Sequence, residues 1–547
     1  MKYRNLGLAF LLVGYLNVTN ITQVLAQVQN NYVDNALLYM RQDPSGTART
    51  LGLGGAGSTL GADFGNLTSN PAGLGFYTKS EIIFTPGLGY GKTRSNQVLN
   101  AAGQGSSFPK QVQTENSFHI ANAGIVFTSN QPDDKDQRAW RGGSFAIGFT
   151  RLADFNQTLG YEATTDDEHS IFQLFREPNR QTDYSTAAYQ NEVRKIAQQS
   201  IDSHTAGSSQ YYNLDGLAYG TGLASQVNVL NPHTGSAKGD SIRRLTMPVR
   251  NGSITQHELI ESKGSLSQFD FGYGGNFNNK FYFGGGIGII SMNRTRTRTF
   301  SEDSEGSQDI VLQDNIKTLG TGINARMGII YRVNNTLRIG ASVQTPTFLR
   351  LSDLHSTTLT NVKFPVAGDS TSLSTLPASI IYNITLPLRV TGGATLVVGK
   401  YGLLTGDVEY VKYSQAKFET TNGVSDANVN EGNSGITTTY KNVVNVRLGA
   451  EGNFNILRAR IGYARNANPY LNSTLTRAQN YITTGFGVRT KSYFVDLAGV
   501  FLSTKDQYQP YALVGAEVST PTVGRASPSS NIAINRFTVS LAVGYIF

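Results

Sequence analysis

The sequence predicts an all-β fold: a transmembrane antiparallel β-barrel of about 14 strands with an N-terminal plug inside its lumen. Three observations carry that prediction. From about Ser80 to Phe547, large apolar residues alternate with small or polar ones at period two, the pattern of a sheet with one wet face. Links between these segments are mostly tight after even-numbered strands and longer and polar after odd-numbered ones, as on the two rims of a bacterial outer-membrane barrel. Ahead of the strands lies Thr47 to Leu74, so rich in glycine that it cannot make a core of its own but could fold compactly inside something else.

The N-terminus comes first. Lys2 and Arg4 precede the apolar run Leu6 to Leu16, and Val24-Leu25-Ala26 leads to a cut before Gln27. Residues 1–26 therefore read as a secretory signal peptide whose apolar run is too short to cross a bilayer; the competing reading is a buried N-terminal helix. No later stretch approaches the ~20 continuous apolar residues of a membrane helix, so a membrane location requires a barrel. Cysteine is absent, which removes disulfides, thiolate metal sites and cysteine nucleophiles. The formal charge of +8 falls to about +6 without Lys2 and Arg4, and no basic run carries interleaved aromatics, so nucleic acid is not an expected partner.

Residues 27–79 are read as a hatch. A helix is expected over Val33 to Gln42, ending before Asp43-Pro44, with Leu37, Leu38 and Met40 on a partly apolar surface. Gly52, Gly54 and Gly55 let backbone approach backbone, and Asn70-Pro71 forces an extended or turn geometry.

Residues 80–547 form the barrel. Strands are expected at about 80–91, 116–128, 142–156, 252–277, 280–301, 308–333, 336–352, 378–399, 402–420, 437–453, 456–465, 479–489, 491–506 and 533–547. Phe281, Phe283, Ile287 and Ile289 oppose Tyr282, Gly284, Gly286 and Gly288; Phe537, Val539, Leu541, Val543 and Tyr545 oppose Thr538, Ser540, Ala542 and Gly544. Such alternation suits a soluble sandwich as well as a barrel, and the turns decide for the barrel. They are short at Asn278-Asn279, Asn334-Asn335, Lys400-Tyr401, Asn453 to Asn455 and Thr490, whereas Thr421 to Ile436 and Lys505 to Ile532 are long; Ser129 to Arg141 is the exception. Both chain ends are then expected on the short-turn, periplasmic side. The longest loop, 161–251, is expected outside and carries helical apolar spacing within Tyr184 to Ile201. That helix either offers a capture surface or packs back on its own loop. In strand three the phase of Phe145, Ile147 and Phe149 breaks at Arg151, leaving Leu152 out of step. The break marks either a bulge with a lateral opening or the strand's exit from the membrane.

With Thr47-Ala48-Arg49 to Gly54-Gly55-Ala56 followed by Asn70-Pro71-Ala72-Gly73-Leu74, the chain resembles the FadL/TodX family of outer-membrane transporters for hydrophobic compounds, in its Bacteroidetes-type form, relatives of which are sometimes labelled haemin receptors. Gly322 to Gly328, Gln344-Thr345-Pro346-Thr347 and Gly399 to Tyr413 resemble further segments of that subgroup. The resemblance implies passive, hatch-gated uptake of long-chain fatty acids or other hydrophobic small molecules, with exit through the hatch or a gap at strand three. Candidate ligand-lining residues are Leu37, Leu38, Leu51, Leu53, Leu60 and Phe64, each of which has plug packing as its alternative role. Candidate lumen charges are Arg338, Arg447, Glu451, Arg458, Arg460 and Asp496, placed either to pair with one another and the hatch or to hold a ligand carboxylate.

Other expectations are negative. There is no phosphate-binding loop with its Lys and Ser/Thr and no His-Glu-x-x-His, so no enzyme is expected and no cofactor. The six histidines show no ligand spacing, and Asp166-Asp167-Glu168-His169 reads as an acidic loop tip rather than a metal site. Haem would need a placed axial ligand, which the sequence does not show. Expected partners are a hydrophobic ligand, outer-membrane lipid and, as family knowledge keyed to Phe547, the barrel-assembly machinery; the chain is expected to be a monomer. The competing function is a surface binding protein or adhesin, with activity wholly in the 161–251 loop.

Overall fold

The structure is a computed structural model and describes residues 25–98, 110–129, 139–172, 231–234, 242–246, 250, 252–304, 309–362, 371–375, 377–421, 427–473, 475–511 and 528–547. The expected signal peptide, apart from its last two residues, and the expected helix at 184–201 lie outside the described residues.

Fourteen antiparallel strands close into a barrel. In chain order they are β1 (Glu81–Val98), β2 (Gln111–Thr128), β3 (Trp140–Asp154, continued by Gln157–Thr165), β4 (Ile254–Phe277), β5 (Phe281–Ser304) and β6 (Ile310–Arg332). Next come β7 (Leu337–Gln344 and Thr347–Asn361), β8 (Ala378–Leu386 and Arg389–Val398), β9 (Gly402–Val411 and Lys417–Thr420) and β10 (Val443–Phe454). The last are β11 (Leu457–Asn466), β12 (Gln479–Arg489), β13 (Tyr493–Tyr508) and β14 (Ser529–Ile546). Pairing of β1 with β14, from Glu81 against Ile546 to Val98 against Ser529, closes the wall and leaves no edge strand unpaired at the seam.

The short rim is built by asparagine. Asn278 (φ 55°) and Asn279 (φ 51°) both take left-handed conformations in the turn that Lys280 N closes on Phe277 O at 3.1 Å, the mirror-image geometry that matches strand twist. Asn455 (φ 60°) serves the next such turn but two.

Period two now has a physical meaning. On β5 the outward Phe281, Phe283, Ile287 and Ile289 are half exposed, an exposure that would be costly in water and is relieved by lipid. Beyond Ile289 the outward residues turn polar, with Ser291, Asn293 and Thr295 exposed. About nine residues of a tilted strand span an apolar band of roughly 25 Å, so the rest of β5 rises as a collar above the bilayer.

β3 departs from the ladder where the sequence breaks phase. Its pairing with β4 shifts between Arg151 and Ala153, which leaves Leu152 as an extra residue, and β2 pairs with β3 only from Asn122 against Thr150 to Thr128 against Ser144. Past the break, Gln157–Thr165 keeps its pairing with β4 but touches β1 and β2 through side chains, with Thr158 Oγ1 donating to Glu115 Oε2 at 2.7 Å.

Two expectations are corrected. The first helix is longer than expected, α1 (Leu25–Met40), and its Tyr32–Val33 end packs at the long-loop rim, so the described N-terminal segment does not start on the short-turn side beside Phe547. Its apolar face decides this: Val33, Ala36, Leu37 and Met40 pack with Val429 and Ile436 of a helix from the β9–β10 loop, Ala427–Thr439. That helix occupies the start of the strand expected at 437–453, which begins only at Val443.

Candidate functional site in the lumen

At the level of the outward apolar band the lumen is filled by residues 43–77. Two short helices, α2 (Ala48–Gly52) and α3 (Asn66–Ser69), and a 3-10 turn over Pro71–Phe76 are tied by one buried carboxylate. Asp63 accepts hydrogen bonds from Thr47 Oγ1 (3.0 Å), Thr50 Oγ1 (2.9 Å) and Gly65 N (2.8 Å). Helix α2 starts at Thr47, whose hydroxyl caps Thr50 N at 3.2 Å. The Ala427–Thr439 helix of the outer rim is called α4.

The plug docks backbone to backbone on glycines of the wall. A Cβ at Gly462 would lie 2.2 Å from Gly54 N, and one at Gly328 would lie 1.9 Å from Asn70 Oδ1. Asn70 also caps the 3-10 turn, accepting from Ala72 N at 3.1 Å, while its Nδ2 donates to Ile329 O at 3.3 Å. The Asn-Pro-Ala-Gly-Leu motif is therefore a docking element: Pro71, Ala72, Gly73 and Leu74 are all buried. Gly54 (φ 69°) and Gly55 (φ 78°) supply the left-handed turn after α2, and Gly54 N donates to Thr483 Oγ1 at 2.9 Å.

Around this contact runs a ring of paired charges. Arg49 of α2 reaches Glu451 at 3.0 Å; Arg460 joins Glu451 (2.7 Å) to Asp496 (2.5 Å). Glu409 holds Arg389 at 3.2 Å and Arg447 at 3.3 Å, and Arg389 donates to Met40 O at the foot of α1. Asp407 accepts from Gly57 N at 2.9 Å and Ser58 N at 3.0 Å. Arg338 donates to Leu60 O at 2.5 Å and lies over the Phe76 ring at 4.6 Å. Five of the six expected lumen charges thus face the plug or its neighbours. Arg458 does not: it sits at the short-turn rim and donates to Asn455 O and Leu457 O of its own turn, because its position is only one residue inside that hairpin.

The apolar candidates divide. Leu37 and Leu38 line a cavity of about 1730 Å³ between α1 and the collar, outside the plug. Leu51 lines a small space of about 70 Å³ beside the β3 break, with His119 and Leu152. Leu53, Leu60 and Phe64 are wedged into plug and wall; the Phe64 ring fills the hollow over Gly124 and Gly148.

The large cavity has a mixed lining. Ile260, Leu312, Ile316 and Ile534 contribute apolar surface, and Arg294, Arg296 and Arg298 project from successive inward positions of β5. The alternation Arg294-Thr295-Arg296-Thr297-Arg298 already places these arginines on one face, a signal that the sequence reading did not weigh. Asp34 of α1 opens onto the cavity but stands enclosed by the surrounding lumen wall, and that enclosure first, then Asp506, push its carboxyl up to about 6 against the opposing pull of Arg477 and Arg296.

No family model and no curated protein matches this chain. Solved structures do resemble it. The toluene transporter TodX of P. putida is 12% identical with a TM-score of 0.44, over 92% of this chain and 99% of that one. A Pseudomonas aeruginosa FadL homologue is 11% identical with a TM-score of 0.47, and the Ralstonia pickettii toluene transporter TbuX is 12% identical with a TM-score of 0.44, each over 92% of this chain and 99% of the other. The likeness is to FadL- and TodX-type barrels. Roles of individual residues are drawn from this chain's own geometry.

Proposed function

We propose that this chain is an outer-membrane channel that admits hydrophobic small molecules, long-chain fatty acids among them, by passive diffusion gated by its N-terminal hatch, residues 27–79, after removal of residues 1–26. The observation that carries this reading is the division of the lumen: a buried plug at bilayer height, and outside it a roomy cavity with apolar surface from Leu37, Leu38, Leu312 and Ile316. A partly apolar vestibule eases the movement of poorly soluble molecules through water, since each buried methylene gains about 0.8 kcal/mol without any catalytic group. The plug is held by an apolar contact of Leu51, Phe64, Leu67 and Leu74 with the wall and by many separate hydrogen bonds and ion pairs, and the polar contacts can be exchanged one at a time. For exit, the break between β2 and β3 is the proposed lateral route, because there the ladder lacks its pairing above Asn122.

The test is equilibrium binding of a fluorescent long-chain fatty acid to detergent-refolded protein, with the intact chain compared with one lacking Gln27 to Leu74. Saturable binding that disappears with the hatch is the expected result. Absence of binding to the intact chain overturns the fatty-acid ligand, and equal binding by both forms overturns a hatch-lined site.

A further inference from the structure

The cavity outside the plug contains two opposite charges that no neighbour among the described residues neutralises at contact distance. Arg296 stands on β5 between Ser262 of β4 and Ile316 of β6, both neutral, and makes no hydrogen bond or ion pair among the described residues. Register explains the contrast with its neighbour two residues on: Arg298 stands opposite Asp314, bonds it at 3.2 Å and also pairs with Glu258. Arg294, on the other side, has only a neutral partner, donating to Ser262 Oγ at 3.1 Å. Asp34 faces the same space from α1 and likewise has no hydrogen bond or ion pair. The charges that act on it are Asp506, Arg477 and Arg296, and Arg477 is already engaged by Asp506 at 2.7 Å.

Bare charges in a confined, partly apolar space are costly, and a group that pairs them recovers that cost. An uncharged ligand leaves both Arg296 and Asp34 unpaired. An anion alone satisfies Arg296 but is repelled by Asp34, and a cation alone does the reverse. Acidic and basic side chains line the cavity in equal number, so the site has no net preference for either sign. We propose that this cavity binds an amphiphile whose head group is dipolar, with its anion on Arg296 beside Arg294, its cation on Asp34, and its tail along Leu37, Leu38 and Ile316. The inference rests on the uptake reading above and narrows its substrate class. The head group is either the ammonium and carboxylate of an acylated amino acid or the phosphate and ammonium of a single-chain phospholipid.

Both charges can be removed without breaking an existing ion pair, so Arg296→Gln and Asp34→Asn are expected to fold, as checked by heat-modifiable electrophoretic mobility. Calorimetric binding to the full refolded barrel at pH 7.5 compares five 14-carbon probes: Nε-myristoyl-lysine, a lysophosphatidylcholine, myristate, tetradecylammonium and tetradecyl maltoside. The expected result is a dipolar probe that binds at least about tenfold tighter than the other three classes. The tighter of the two dipolar probes identifies the head-group chemistry. Arg296→Gln should weaken the dipolar probe and myristate but not tetradecylammonium, and Asp34→Asn should weaken the dipolar probe while strengthening myristate. If myristate binds as tightly as the dipolar probes and Asp34→Asn changes nothing, the dipolar head group is wrong. If the maltoside binds equally well, the head-group inference falls and the uptake reading stands. Failure of all five probes to bind overturns both.

Discussion

At the scale of single residues, the plug is specified by what is missing from the wall. Gly328 and Gly462 are glycine because the plug backbone occupies the volume a side chain would need. Gly462→Val should therefore expel the segment around Gly54, at a cost of about 1–3 kcal/mol from overpacking, and hydrogen exchange over residues 47–60 should rise while the barrel stays heat-modifiable. Unchanged exchange would show that the docking is looser than the contacts imply. Charge is equally local. Arg460→Met leaves Glu451 and Asp496 buried with one fewer cation, and we expect a loss of about 3–5 kcal/mol, read as a lower unfolding midpoint in urea. Alternation along the strands already marks these residues as inward-facing charges. It gives no notice of who pairs with whom: Arg49 and Glu451 lie hundreds of residues apart in the chain and meet only when the plug is seated.

At the scale of elements, α1 and α4 form one unit that joins the outer rim to the plug. Tyr440 Oη donates to Val33 O at 2.9 Å, Tyr32 packs edge-on to Phe418 with ring centroids 5.0 Å apart, and Gly432 admits the Tyr32 side chain. Gly432→Leu should separate the two helices, and protease cleavage within 427–439 should accelerate. Docking of α1 is also expected to depend on pH. Asp34 has an ordinary value of 3.8 that burial, helped by Asp506 and opposed by Arg477 and Arg296, lifts to about 6 in the docked helix. Docking therefore takes up a proton between these values, so its stability is greatest at low pH, falls as pH rises through about 4 to 6, and is level above. Proteolytic protection of α1 should be stronger at pH 5 than at pH 7.5, and Asp34→Asn should abolish the difference. Apolar spacing over Val33 to Gln42 marks the C-terminal half of α1 and its end near Asp43-Pro44, but the N-terminal half of α1 and α4 carry no such mark. Neither segment is strongly amphipathic alone, and each acquires its helical partner only through the other.

At the scale of the whole molecule, the barrel and its contents are separable in physical terms. The wall is held by a closed backbone ladder and a lipid-facing apolar band, and the lumen segment by side chains and glycine hollows. Removal of residues 27–74 should leave a folded barrel whose single-channel conductance in planar bilayers rises by about an order of magnitude over the intact chain, as expected when a lumen wide enough for a plug is emptied. An unchanged conductance would mean that the loops, not the plug, close the pore. What the sequence determined by itself was the wall: the period-two alternation, the asparagine turns, the strand count and even the extra residue at Leu152, because each is written in residues close together along the chain. What only the tertiary structure decided was the interior. Which arginine stands beside an acid and which stands bare depends on the register of neighbouring strands: Arg298 has Asp314 across from it and Glu258 within reach, whereas Arg296 stands between Ser262 and Ile316. That register is a property of the closed sheet, so no local pattern in the chain contains it.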